Sequence, residues 1–323
     1  MRGVLILTES TDIVGQALPS WLASRGLPVP PTLFTDRPET WPAWTLSVSP
    51  PGGVLHFDAG DIDLARLTGV WMHRPFPATA EDDARLAPLI DVLEAMPVFR
   101  FNDQVVRDHG RFKLLAHELA CSVGLRTPRT FVGHHGAAAF IRGPTVFKTL
   151  AGSASSDMNG LGGVLTTRVR PEQLADERPL RLCPVLLQDE IPRAAEVRAI
   201  VVGDAVFAAE LPVEDTALDW RRLGPAQIDR WRRAELPDDV AAALLVLHRR
   251  LGLWFGAADL LRTPDGEHVF LETNATGGFF WVSELHDGAP LLRILDALRD
   301  PPPGGPRVLP RVVGAGEGAL GSR

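Results

Sequence analysis

Two rhythms of apolar and polar positions run along this chain, and each predicts an element. "GVLILTESTD" is an unbroken apolar run closing in a polar turn, the pattern of a buried strand. "IVGQALPSWLASRG" has helical spacing stopped at Gly26, and Pro19 inside it predicts a break or a kink. The proline-rich stretch 28–52 follows neither rhythm, and strands are predicted at 54–58 and, in "GVWMHRP", at 69–75. "EDDARLAPLIDVLEAM" sets Leu86, Leu89, Ile90, Leu93 and Met96 at helical spacing behind a first turn of acids that suits a helix N-terminus. This first third reads as an α/β domain of about 100 residues.

Further on, Asp108 is a plausible N-cap for a helix in "HGRFKLLAHELACSVG" that ends at Gly124. "PRTFVG" and "GPTVFKTL" read as strands, and "AGSASSDMNGLGG" (151–163) has the small, polar, glycine-rich makeup of a mobile loop. "CPVLLQDEIP" and "EVRAIVVGDAVFAAELP" supply more strands, the second with a Gly-Asp turn inside it. "DVAAALLVLHRRLGL" is an amphipathic helix, and "WFGAADLLRTPDGEHVFLETN" reads as a hairpin. The tail after Pro301 lacks periodicity and is expected to be disordered, and there are no internal repeats.

Composition narrows the classes. The 323 residues carry a net charge of -7 and no basic block, which argues against a nucleic-acid partner. No apolar run approaches the ~18–20 residues of a membrane span, and the N-terminus does not resemble a secretory signal, so a cytoplasmic protein is expected. Cys121 and Cys183 read as buried thiols, Cys121 on the apolar side of a helix, with a disulfide the alternative. Of 33 basic residues only two, Lys113 and Lys148, are lysine. Where arginine serves almost everywhere, those two are candidates for work that needs a compact ammonium on a flexible stem.

The hairpin carries the candidate chemistry. With Asp265 and Gly266 as a two-residue turn, Asp259 faces Glu272, and Asn274 shares Glu272's side of the strand. Like charges across a strand pair repel, and a cation between them removes that cost. Asp259, Glu272 and Asn274 form an all-oxygen set suited to Mg²⁺ or Mn²⁺ rather than zinc. Mg²⁺ held by one or two carboxylates commonly completes its shell with substrate phosphates. Lys148, ending a strand before the glycine-rich loop, and Lys113, in the first turns of a helix, are placed to meet such phosphates. There is no G-x-x-x-x-G-K-[ST], and no G-x-G-x-x-G follows the first strand, which sets aside a P-loop enzyme and argues against a dinucleotide-binding Rossmann domain.

A helical lysine followed by "GLRTP", a strand lysine with a glycine-rich loop, "LLQDEI", "EVR" and "AADLL…VFLETN" resemble, in that order, the ATP-grasp carboxylate-amine ligases over residues 100 to 290. More narrowly, "VWMHRP", "DWR" at 219–221 and "LETNATGGFFWVSE" look like the graspetide synthetases, microviridin-type maturases that close ester or amide bonds between side chains of a ribosomal peptide. The resemblance implies an α+β ATP-grasp fold: an N-terminal α/β domain (1–104), a central subdomain with a glycine-rich lid (105–187), a C-terminal subdomain with the metal site (188–300), then a tail (301–323). It implies ATP and two Mg²⁺ ions as cofactors, a precursor peptide with a leader and an acidic core as partner, and a homodimer as a further expectation.

Carried over, Lys113 and Lys148 would contact phosphates, Gln188, Asp189, Glu190 and Ile191 would form the hinge beside adenine, and Glu196 would accept from ribose hydroxyls. Arg198, with Arg221 a second candidate, would stabilise the transferring phosphoryl group; Asp259, Glu272 and Asn274 would bind metal; Arg74 would face the substrate. The chain departs from the family at Ala275, where proline is frequent, at Gly278, often glutamine, and at Glu190, often aromatic; the region after Leu27 matches poorly. His134 and His135 read as surface histidines, His73 is left open, and Trp281 reads as packing near the metal site. Two other readings remain: a ligase of small-molecule carboxylates, which would keep every site residue, and a nucleotide-binding regulator without catalysis.

Overall fold

Leu5, Ile6 and Leu7 are wholly buried in the first strand, β1 (Gly3–Thr8), as a strand covered on both faces requires. The computed structural model describes residues 3–58, 60–74, 78–102, 113–148, 166–213, 218 and 225–303. Two units emerge, Met1–Asp103 together with the chain from Ile294, and Gln104–Arg293.

In the first unit a parallel sheet runs in the order β2 (Thr32–Phe34), β1, β6 (Leu67–Met72), β7 (Phe99–Arg100). Helix α1 (Ile13–Ser24) starts at Asp12, whose carboxylate accepts from the Val14 and Gly15 amides, and continues through Pro19 without the expected break. Burial of Val14, Leu18, Trp21 and Leu22 offsets the one hydrogen bond that the proline cannot make. Helix α2 (Ala80–Ala95) is capped by Thr79 and turns Leu86, Leu89 and Leu93 into the core, with Met96 just beyond its end. The proline-rich stretch is more ordered than its pattern suggests. It holds β2, β3 (Ala43–Val48) and the start of β4 (Pro51–Phe57), and β3, β4 and β5 (Gly60–Asp63) make a separate antiparallel sheet. Strand β3 is largely exposed, so burial imposes no strong alternation on it.

The second unit holds two antiparallel sheets. One runs β10 (Thr167–Val169), β9 (Thr145–Lys148), β11 (Val185–Asp189), β8 (Thr130–Gly133). The other runs β14 (Arg232–Ala234), β13 (Ala205–Pro212), β12 (Ala195–Val202), β15 (Phe255–Arg262), β16 (His268–Asn274). Strands β12 and β13 meet at the expected Gly203-Asp204 turn, Val202 pairing with Ala205. Helix α3 (Lys113–Ser122) and helix α5 (Asp238–Leu251) bury Ala116, Ala120, Leu244, Leu247 and Leu251 with Val197, Ala199, Ala258, Leu260 and Phe270 of the five-stranded sheet. The alternate residues of those strands, Glu196, Arg198 and Asp259, therefore lie on the opposite face.

Among the described residues the remaining α-helices are α4 (Ala137–Phe140), α6 (Phe280–Leu285) and α7 (Ala289–Arg299). The end of α7 belongs with the first unit, where Gly69 lies against the Leu298 backbone. The boundary expected at 187/188 falls inside β11, which pairs with β8 and β9, so Gln188 and Asp189, two of the residues expected at the hinge, belong to that sheet. Asp108, the glycine-rich segment 151–163, Arg221 and residues 304–323 lie outside the described residues. Cys121 and Cys183 are free and exposed, not buried as expected: Cys121 sits on the side of α3 away from Ala116, His117 and Ala120.

Candidate active site

Asp259 and Glu272 are direct partners across β15 and β16, but not by the register expected from a two-residue turn. The loop has three residues, Pro264, Asp265 and Gly266: Thr263 N–H donates to Glu267 O, Gly266 N–H to Thr263 O, and Gly266 takes φ +89°. That is a β-turn followed by a left-handed residue, which displaces the pairing by one: Arg262 meets His268 and Leu260 meets Phe270. A bulge between Leu260 and Asp259 then takes up Leu271 as an extra residue and restores the acid pair. Ala258 faces Thr273 and Ala257 faces Asn274 beyond it.

Each acid has a cation. Lys113 Nζ lies 3.1 Å from Glu272 Oε2, and Arg198, the neighbour of Asp259 on β12, donates through Nη1 to Asp259 Oδ1. Arg198 also donates through Nε (3.2 Å) and Nη2 (2.9 Å) to the Gly278 carbonyl, and its guanidinium stands 5.7 Å from the Trp281 ring centroid. Trp281 is thus a neighbour of Arg198. Asn274 Nδ2 is 3.4 Å from Glu272 Oε1. Gly277 makes the turn that carries Gly278: a Cβ there would stand 2.6 Å from Ala257 Cβ and 2.7 Å from Arg198 Nη2.

Burial pushes the Glu272 carboxyl up, but Lys113, Lys148 and hydrogen bonds from Lys113 and Asn274 outweigh it and hold the pKa at about 2. Lys148, on β9 opposite Leu186, is lowered by burial, partly opposed by Glu272, Asp259 and Glu196 and reinforced by Lys113. The two lysines and the acids Glu196, Asp259 and Glu272 therefore share one electrostatic neighbourhood. Glu196 Oε1 lies 3.3 Å from Arg193 Nε.

The four residues expected at the hinge differ in how they are held. Gln188 is buried, its side-chain nitrogen 3.1 Å from both His117 Nε2 and Thr130 Oγ1. Asp189 accepts two hydrogen bonds from Arg129 (2.9 and 2.8 Å), and Glu190 two from Arg168 (2.8 and 2.7 Å). Their amides donate within the framework, Asp189 to Arg129 O and Glu190 to Pro144 O. Ile191 follows directly. Of the other candidates, Arg74 lies in the first unit, 2.9 Å from Glu9, whose carboxyl burial pushes up against the pull of Arg74. His73 is buried there, 3.7 Å from Asp12. His135 contacts Glu177 at 2.5 Å and is exposed, in keeping with a surface histidine. Among the described residues no three His, Cys, Asp or Glu side chains cluster as a metal site; the oxygen set depends on the Asn274 amide. Sequence reasoning passed over His117, Arg129, Arg168, Arg193 and Gly277. His117 had a signal, since it sits one helical turn from Lys113 on the same face.

No known family profile matches the chain, and no curated protein does. Solved structures do. A RiPP-associated ATP-grasp ligase from Chryseobacterium gregarium, in complex with ADP and a leader and core peptide, matches with a TM-score of 0.82 at 25% identity over 96% of this chain and 100% of that one. The macrocyclase MdnC of Microcystis aeruginosa MRC, bound with the precursor peptide MdnA, matches at 0.75 and 25% over 92% and 99%. The macrocyclase MdnB from the same organism matches at 0.71 and 27% over 92% and 99%. The fold is that of an ATP-grasp ligase, of the graspetide-synthetase type. No helix among the described residues is long and apolar enough to cross a membrane.

Proposed function

We propose that this protein uses ATP and Mg²⁺ to activate Asp or Glu side chains of a ribosomal precursor peptide, and then closes ester or amide cross-links within that peptide. The observation that carries this reading is the acid pair Asp259–Glu272, each acid held by its own cation, on an ATP-grasp sheet. A substrate carboxylate oxygen attacks the γ-phosphorus, the bond to the β-γ bridging oxygen breaks, and ADP leaves. A hydroxyl or amine then attacks the acyl carbon, phosphate departs, and the nucleophile's proton passes to solvent. Such chemistry asks the protein for position and charge neutralisation rather than covalent help.

The residues fit those demands. The hard oxygen donors of Asp259, Glu272 and Asn274, with Glu272 kept ionised, suit a divalent cation carried with the nucleotide, two ions in all, Mn²⁺ serving as well. Bound there, the metal offsets phosphate charge as the substrate carboxylate approaches. Lys113 and Lys148 act as compact point charges on phosphate oxygens. Arg198, its plane fixed by the Gly278 carbonyl, serves the transferring phosphoryl group, with Arg221 as a second cation. Glu196, steadied by Arg193, accepts from the ribose. With the Asp189 and Glu190 side chains tied to arginines, the hinge from Gln188 to Ile191 reads adenine through its backbone. Arg74 contributes to the peptide groove in the first unit. The peptide complexes of the Chryseobacterium ligase and of MdnC support a precursor peptide with a leader and a core as the partner, and activation of Asp or Glu side chains calls for that core to be acidic.

The test is mass spectrometry of an acidic, Ser/Thr/Lys-containing precursor peptide encoded beside the gene, incubated with protein, ATP and Mg²⁺. Loss of one water per bond is expected, and its absence with Asp259→Ala or Glu272→Ala. An unchanged peptide, with ATP consumed only when small carboxylates and amines are added, overturns the peptide substrate. ATP bound but never turned over overturns catalysis.

A further inference from the structure

We propose that two buried histidines, His117 of α3 and His248 of α5, position Glu272 by gripping the residues on either side of it. The inference rests on the metal reading of Glu272 given above. His117 Nε2 donates to the Leu271 carbonyl at 2.8 Å, and its ring meets Phe270 edge-on at 6.1 Å. Leu271 is the bulge residue, and a bulge residue drops out of the ladder and leaves its polar groups in need of another partner. Here the partner is a side chain one helical turn from Lys113, the cation on Glu272. The same helix face thus fixes both the backbone before Glu272 and the charge on it.

On the far side, Thr273 points away from Glu272 into the sheet's other face and is 2% exposed. Its hydroxyl donates to His248 Nε2 at 3.0 Å, while His248 Nδ1 donates to the Leu244 carbonyl at 2.8 Å. A carbonyl only accepts, which assigns the tautomer. Gly256 is required beneath that ring, since a Cβ there would stand 2.5 Å from His248 Nε2. With residue 271 held from one helix and residue 273 from another, the strand cannot rotate or slip at 272 without breaking a buried hydrogen bond. A slip of one residue would send Glu272 to the helix side.

The experiment is calorimetric titration of the full chain with ADP, once with Mg²⁺ and once with EDTA, alongside thermal melting. In His117→Leu, MgADP binding is expected to weaken by about 10–100-fold, while binding of ADP in EDTA changes by less than about threefold. His117→Gln, which keeps a side-chain donor, is expected to recover most of the loss. MgADP bound by His117→Leu as tightly as by wild type, or equal losses with and without Mg²⁺, overturns the proposal. Should His117→Leu fail to fold, Thr273→Val, which removes only the hydroxyl, is held to the same two outcomes. Wild-type protein that binds ADP equally with and without Mg²⁺ overturns the metal reading itself, and is seen before any variant is compared.

Discussion

Gly277→Ala is the smallest change that should disable the site. The φ of Gly277 is not in the left-handed region, so alanine can adopt the backbone and space alone decides the outcome. The new Cβ would stand 2.6 Å from Ala257 Cβ, 2.7 Å from Arg198 Nη2 and 3.1 Å from Asn274 Cβ. Carbon atoms prefer a separation near ~3.5–4.0 Å, so the turn must withdraw by about 1 Å. Ala257 cannot yield, being on β15 between β12 and β16 with partners on both sides. The Gly278 carbonyl moves with the turn, and Arg198 loses the acceptor of its Nε and Nη2. Overpacking of this kind costs roughly 1–3 kcal/mol of stability. A displacement of about 1 Å at a reacting group costs on the order of a hundredfold in rate. The assay is ADP release with the precursor peptide, read beside a melting curve. Gly278→Ala is the control, since its Cβ would meet only the Trp281 ring, at 3.2 Å, which can shift. A folded Gly277→Ala protein with kcat/KM within about threefold of wild type would refute the reasoning, because no route would remain from the turn to Arg198.

Three further outcomes are expected. Arg198→Lys should lower kcat more than a hundredfold, roughly, with little change in ADP affinity, since one ammonium cannot replace a guanidinium that serves Asp259 and the Gly278 carbonyl together; single-turnover kinetics and ADP titration separate the two. Burial lowers the His248 pKa from 6.5 to about 4. The unfolded chain therefore takes up a proton that the folded one refuses, and stability falls as pH drops from 6.5 toward 4, by about 3 kcal/mol in all. Denaturant unfolding of wild type and His248→Gln should show that difference closing over this window, and a pH-independent difference would count against the buried neutral ring. Cys121 and Cys183 should both react rapidly with a thiol reagent in the native protein, and a thiol released only on unfolding would contradict their exposure.

The candidate site residues were legible because chemistry restricts them to few positions. Two lysines among 33 basic residues, and a carboxylate two places from an amide at a strand end, stand out without a structure. Alternation placed Glu272 and Asn274 on one side of their strand, and the Asn274 amide beside the Glu272 carboxylate bears this out. The pairing of Asp259 with Glu272 was reached by a turn that does not exist: the three-residue loop shifted the strand one way and the bulge at Leu271 shifted it back. Elsewhere pattern failed where burial imposes no period. The exposed strand β3 was invisible, and Cys121 was misplaced because apolar neighbours along a helix do not say which side meets the sheet.

What the sequence determines by itself is local and chemical: the period of the buried elements, the Gly203-Asp204 turn, and the donor types at 259, 272 and 274. What the tertiary structure decides is which distant groups meet those donors. His117 reaches a carbonyl 154 positions away, Lys113 finds Glu272, and the Arg198 plane is set by the carbonyl of residue 278. Such partners satisfy buried polar groups that only the packed chain creates, so their cost and their remedy do not exist until α3, β12 and β16 have come together.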